Sequence, residues 1–143
     1  MESKILVIVS SGLRNNAHTV ARVFAGFLEA PVMTPEQIDP EELRDYDLIG
    51  FGSGIDSERH HRRLLTLAEE LPMAHNGKAF IFSACGTPGA NKQVAASHEA
   101  LRRKLHTRGF TVVDEFNCAR WQNDSDLERA ADFAVNLLKK TCA

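Results

Sequence analysis

The 143-residue chain holds only three cysteines, Cys85, Cys118 and Cys142, far apart and with no C-x-x-C spacing. An odd, scattered set supports neither a disulfide framework nor a zinc site, and it fits a reducing compartment; the expected location is the cytoplasm. No apolar run approaches the roughly 20 residues of a membrane-spanning helix. The stretch Ile5-Leu-Val-Ile-Val9 follows a single lysine and ends in Ser10-Ser11 without a cleavage pattern, which argues against a signal peptide. Charge of one sign is also lacking: a formal net charge of −2 gives no overall pull toward nucleic acid or an anionic membrane. Repeats, low-complexity tracts and linkers are absent from the sequence, so one domain over residues 1–143 is expected.

What is present is an alternation of strand and helix patterns. Ile5-Leu-Val-Ile-Val9 reads as a strand covered on both faces. Val20, Val23, Phe24, Phe27 and Leu28 follow at helical spacing and predict an amphipathic helix capped by Asn15 or Asn16. Pro31-Val-Met33 reads as a short strand, and Asp39-Pro40-Glu41-Glu42 as a helix start with room for a turn or two. Asp47-Leu-Ile-Gly-Phe-Gly52 and Lys78-Ala-Phe-Ile-Phe82 are two further buried strands. Between them Leu64, Leu67, Ala68 and Leu71 mark a helix that Pro72 ends. Val94, His98, Leu101 and Leu105 share a helical face closed by Gly109. Phe110-Thr-Val-Val113 opens a fifth strand reaching toward Phe116. Ser125-x-x-Glu128 is a capping box for a last helix, whose expected buried stripe is Leu127, Ala130, Ala131, Ala134 and Leu138. The sum predicts an α/β three-layer sandwich with a five-stranded parallel sheet, for which the common strand order is 2-1-3-4-5.

Ligands of open α/β sheets bind beyond the carboxyl ends of the strands, where the strand order reverses. That rule brings together the loops at 10–17, 53–59 and 83–91. The first opens a helix, so its free N–H groups and positive dipole end make an anion site. Ser10, Ser11, Asn15 and Asn16 can add hydrogen bonds there, and Arg14 a charge. Neither G-x-G-x-x-G nor G-x-x-x-x-G-K-[ST] occurs, which removes the motif support for dinucleotide-Rossmann and P-loop readings. A phosphorylated receiver domain needs a carboxylate pair after strand 1, an aspartate after strand 3 and a lysine after strand 5; Ser10-Ser11, Ser53 and Cys118 stand there instead. No Ser-His-Asp constellation is identifiable either, since the serines after the strands lack a nucleophile elbow.

The stretch Gly50-Phe-Gly-Ser-Gly-Ile-Asp-Ser-Glu-Arg-His-His-Arg-Arg-Leu-Leu65 resembles the region after the third strand of small FMN-binding flavodoxins and flavodoxin-like proteins. Gly77-Lys-Ala-Phe-Ile-Phe-Ser83 is similar to their fourth strand. Leu101-Arg-Arg-Lys-Leu105, Gly109-Phe-Thr-Val-Val113 and Glu115-Phe-Asn-Cys118 resemble their fourth helix and fifth strand. The resemblance implies FMN, with its phosphate on Ser10, Ser11, Leu13, Arg14, Asn15, Asn16 and Ala17. It places the flavin ring between Ser53, Gly54, Ile55 and Asp56 on one side and Ala84, Cys85 and Gly86 on the other. Trp121, the only tryptophan, is a candidate for stacking on the ring or for packing on the last helix. The chain departs from the family pattern at Arg14 and Ala17, where threonines are usual, and at Asp56, where an aromatic residue is frequent. Arg14, Asn15 and Asn16 are expected to compensate for the lost hydroxyls.

Arg59-His-His-Arg-Arg63 is the densest charge cluster and reads as a solvated helix start, with attraction of an anionic partner as the alternative. The adjacent His60 and His61 would point to different helix faces and make a poor metal pair. Cys118 is expected in the core. Three functions stay open: an FMN protein that passes electrons to a redox partner, a small flavin or quinone reductase using NADPH as nicotinamide donor, and a binding module on the same fold without cofactor. The second draws on Ser10-Ser-Gly-Leu-Arg14 with His18-Thr19, which resembles the phosphate loop of NADPH-dependent FMN reductases.

Overall fold

Every residue of the first strand, β1 (Ile5–Ser10), is buried, as an unbroken apolar run between two helical layers requires. The computed structural model describes residues 4–10, 16–56, 59–60, 62–74, 77–84, 90–118 and 124–142; for residues 56, 59–60, 90–91, 124 and 141–142 it describes the backbone alone. After β1 come α1 (Asn16–Leu28), β2 (Val32–Met33) and two 3-10 turns, Pro35–Gln37 and Pro40–Asp45. Then follow β3 (Leu48–Asp56), β4 (Arg59–His60), α2 (Arg62–Glu70), β5 (Gly77–Ala84), α3 (Ala90–Thr107), β6 (Phe110–Cys118) and α4 (Asp124–Cys142). The parallel strands stand in the order β2-β1-β3-β5-β6, with the two-residue β4 antiparallel to β3 and off this path. Setting β4 aside, this is the predicted five-stranded order 2-1-3-4-5.

Strand residues alternate between two apolar layers. On one face Val7, Val9, Phe80 and Phe82 pack against Phe24 of α1 and Phe133 and Leu137 of α4. On the other, Leu6, Ile8, Ile49, Phe51 and Ile81 pack against Leu64 and Leu67 of α2 and Leu101 and Leu105 of α3. Gly50 and Gly52 of β3 pair with Phe80 and Phe82 of β5, and a side chain at either glycine would overlap the phenylalanine ring lying over it. Just past the end of α3 the chain turns at Gly109, whose φ of 84° only glycine adopts without strain; its N–H donates to His106 O at 3.0 Å.

Several local expectations are corrected. Residues 53–56 are not a loop: Ser53 and Gly54 find parallel partners in Ser83 and Ala84, β3 continues to Asp56, and β4 pairs antiparallel with it, Ile55 with His60 and Asp56 with Arg59. Unpaired backbone beside a paired neighbour strand would leave polar groups unsatisfied, and that requirement extends the ladder. Arg59 and His60 are therefore strand residues, the helix starts at Arg62, and His61 lies outside the described residues. Ser83 and Ala84 likewise belong to β5, and Asn91 lies in α3 rather than in a loop. Phe27, expected in the α1 stripe, is 45% exposed, because α1 turns Ala17, Val20, Ala21, Phe24 and Leu28 to the sheet. α4 begins at Asp124, so Ser125 sits within its first turn rather than ahead of it. Its buried stripe is Ala130, Phe133, Ala134 and Leu137, and Leu127 is 42% exposed.

Candidate functional site

The strand order reverses between β1 and β3: the chain leaves β1 toward β2 on one side and leaves β3 toward β5 on the other. At the carboxyl ends of these strands Ser10, Ser53, Ser83 and Asn117 are paired in register across β1, β3, β5 and β6. Parallel partners share a face, so one polar row closes the layer that Ile8, Phe51 and Ile81 fill one step below. Ser10, Ser53 and Ser83 are all buried. Ser53 Oγ donates to Gly54 O at 2.6 Å.

α1 starts at the same end, at Asn16. The N–H groups at a helix start have no acceptor within the helix itself and carry its positive dipole end, so such a terminus can receive an anion. The Ala17 side chain is wholly in the core, so only its backbone can reach a ligand. His18 is 9% exposed, and its Nδ1 is buried without a hydrogen-bond partner among the described residues. Burial, reinforced by the Arg22 guanidinium, holds the His18 imidazole below the ordinary histidine value. On the far side of the reversal, Ile55 is half-buried and Asp56 ends β3; Ala84, half-buried, ends β5 between Gly54 and Cys118. Cys118 is buried, as expected. Ser11, Leu13, Arg14, Asn15, Cys85, Gly86 and Trp121 lie outside the described residues.

The structure also brings together a cluster that sequence reasoning missed. Ser83 Oγ lies 2.7 Å from His98 Nε2 of α3 and donates to Asn117 Oδ1 at 2.7 Å. His98 Nδ1 is 3.0 Å from Glu115 Oε1. Arg102, one helical turn after His98, grips the same carboxylate with Nε at 2.8 Å and Nη2 at 2.9 Å. Burial pushes the His98 imidazole below its ordinary value; Glu115 pulls it back up, and Arg102 pushes with burial. The only signal in the sequence was a histidine on the apolar face of α3, which reads equally well as core.

Arg62 and Arg63 are exposed at the start of α2, as a solvated helix start requires. Arg63 pairs with Glu36 across an open groove of about 480 Å3, which runs between the 3-10 turns and α2 and includes Ile38 and Leu67 in its lining. The groove mixes both signs of charge.

The order of the sheet and the polar row at its carboxyl end define a flavodoxin-fold protein. Oxidised flavodoxin 2 from Bacillus cereus superimposes with a TM-score of 0.78 at 20% identity, over 96% of this chain and 99% of that one. The flavodoxin of Streptococcus pneumoniae TIGR4 gives 0.78 at 16% identity, over 95% and 99%. No family model matches the sequence. The chain belongs to the same family as the uncharacterized protein MJ0298 of Methanocaldococcus jannaschii, with 31% identity over 152 residues, 95% of this chain and 99% of that relative.

Proposed function

We propose that the chain binds FMN at the carboxyl end of the sheet and passes electrons to a redox protein partner. The observation that carries this reading is the buried His18 Nδ1 in the first turn of α1, which has no hydrogen-bond partner among the described residues, at the point where the strand order reverses. A buried nitrogen without a partner costs about 1–3 kcal/mol, and a phosphate oxygen would relieve that cost. The residues present suit such a group. The first-turn N–H groups of α1 and His18 would take the phosphate, with Arg14, Asn15 and Asn16 adding to them. Ser53 to Asp56 and Ala84 to Gly86 would flank the ring. Taking up and giving back electrons is the flavin's own chemistry; the protein binds, orients and shields it. The named flavodoxins of similar fold support this assignment.

The test compares FMN with riboflavin, which lacks the phosphate, by fluorescence titration. Native protein is expected to prefer FMN. His18→Ala is expected to weaken FMN about tenfold, as loss of a hydrogen bond to a charged group predicts, and to leave riboflavin unchanged. Equal affinity of the native protein for the two flavins would contradict a phosphate site on α1.

A further inference from the structure

The chain Asn117–Ser83–His98–Glu115, buried at Ser83 and His98 and half-buried at its two ends, is not used by the flavin reading. Its connectivity is that of a nucleophile, a base and an orienting acid. Ser83 nevertheless has no exposed surface, and a substrate carbonyl cannot approach its oxygen. What a hydrogen-bond chain with a buried middle can do is change direction.

A carboxylate only accepts, so with Glu115 facing it His98 Nδ1 carries a hydrogen in both protonation states. The variable atom is Nε2. With His98 neutral, Nε2 accepts the Ser83 hydroxyl hydrogen. Ser83 Oγ then needs a donor, and the Asn117 amide must present its Nδ2. With His98 charged, Nε2 donates to Oγ, the hydroxyl turns to Asn117, and the amide must present Oδ1. The structure shows Oδ1 toward Ser83, the arrangement of the charged form, whereas burial favours the neutral one. The two protonation states of His98 call for opposite orientations of the Asn117 amide, and that makes the chain a two-state element. Ser83 stands one residue before Ala84 at the end of β5, and Asn117 one residue before Cys118 at the end of β6.

We propose that Ser83, His98, Glu115 and Asn117 form a proton-operated switch: one proton on His98 reverses the hydrogen-bond chain and turns the Asn117 amide at the carboxyl ends of β5 and β6. Its effect on ligand binding rests on the flavin site proposed above; the switch itself does not. Among the described residues, Glu115 from β6 and Arg102 from its own helix bear on His98. β5 and β3 turn Ser83 and Ser53 toward this layer, with no titratable side chain among the described residues there. α2 meets α3 through the Glu69–Lys104 pair, two turns along from His98. On α3 itself Glu99 and Arg103 pair at the surface. β4 also packs on α3 and carries Arg59 and His60.

Nitrogen-15 NMR of the purified protein without added flavin tests the switch directly. On acidification the neutral Nδ1–H tautomer of His98 is expected to give way to the doubly protonated ring, below the ordinary histidine value. The Asn117 side-chain amide resonances are expected to shift with the same midpoint. In Ser83→Ala, which removes the relaying oxygen, His98 should still titrate while the Asn117 shift at that midpoint disappears. An Asn117 amide indifferent to pH in the native protein, or one still following His98 in Ser83→Ala, would overturn the proposal. FMN affinities on either side of the His98 midpoint found by NMR test whether the switch reaches the site. The added positive charge should favour an anionic ligand, so the acid-to-neutral affinity ratio should exceed that of His98→Gln by about fivefold, the low end of typical coupling. Ionisation of the FMN phosphate is common to both proteins and cancels. Equal ratios would remove the link to the site. If FMN does not bind at all, the flavin reading fails and the NMR measurement still decides the switch.

Discussion

Phe24→Ala is expected to lower folding stability by about 3–5 kcal/mol, the range for deleting a buried phenylalanine ring. Phe24 is wholly buried in the middle of α1. It presents its edge to Phe80, Phe82 and Phe116 at centroid distances of 5.8, 5.4 and 5.3 Å, and lies tilted against Phe133 at 5.2 Å. These partners come from β5, β6 and α4, so one side chain joins the sheet to both helices of this layer. Edge-to-face pairs add about 0.5–1.5 kcal/mol each beyond the area they bury. Those increments are not additive, but they place the substitution toward the upper end of the range. The four surrounding rings come from three different elements, which limits how far they can collapse into the cavity. Against a total stability of roughly 5–15 kcal/mol, the loss should be plain in urea denaturation, as a lower midpoint at unchanged slope. A loss below about 1 kcal/mol would mean that the aromatic cluster is not the organising contact of this layer.

Gly52→Ala is expected to be destabilising by about 1–3 kcal/mol although it adds a single methyl group. The Phe82 ring lies over Gly52, where the new Cβ would stand. The ring cannot swing away, because Phe24 meets it at 5.4 Å and Phe80 stacks beside it at 6.0 Å. Gly26 provides the contrast: it is exposed in α1 with nothing near its missing Cβ. Gly26→Ala should therefore stabilise by about 0.5–1 kcal/mol, through helix propensity alone. Thermal unfolding of the two variants side by side checks both signs. Two shifts in the same direction would contradict the seating of Phe82 on Gly52.

The strands were legible because each is an unbroken apolar run, which a parallel sheet covered on both faces requires. The strand order followed from the alternation of elements. What the sequence did not carry were features set by pairing between distant segments. β3 extends past Gly52 only because Ser83 and Ala84 stand opposite, and nothing local announces it. Phe27 and Leu127 fit a helical stripe by spacing, yet the neighbouring layer stops short of them. The Ser83–His98–Glu115 chain links residues 15 and 17 positions apart on three elements, and only the register of β5 with β6 reveals it. For the candidate site, the switch point and the start of α1 were predictable, whereas the His18 nitrogen without a partner became visible only once its burial was known.

The measurement that tests the account most directly is the visible absorbance spectrum of the purified protein, before and after adding FMN and removing the excess. The account predicts a flavin band that stays with the protein and is displaced or reshaped relative to free FMN, because ring contacts at the ends of β3 and β5 change its surroundings. A protein that emerges colourless after incubation with FMN in large excess would contradict it, and would leave the fold serving a ligand other than flavin.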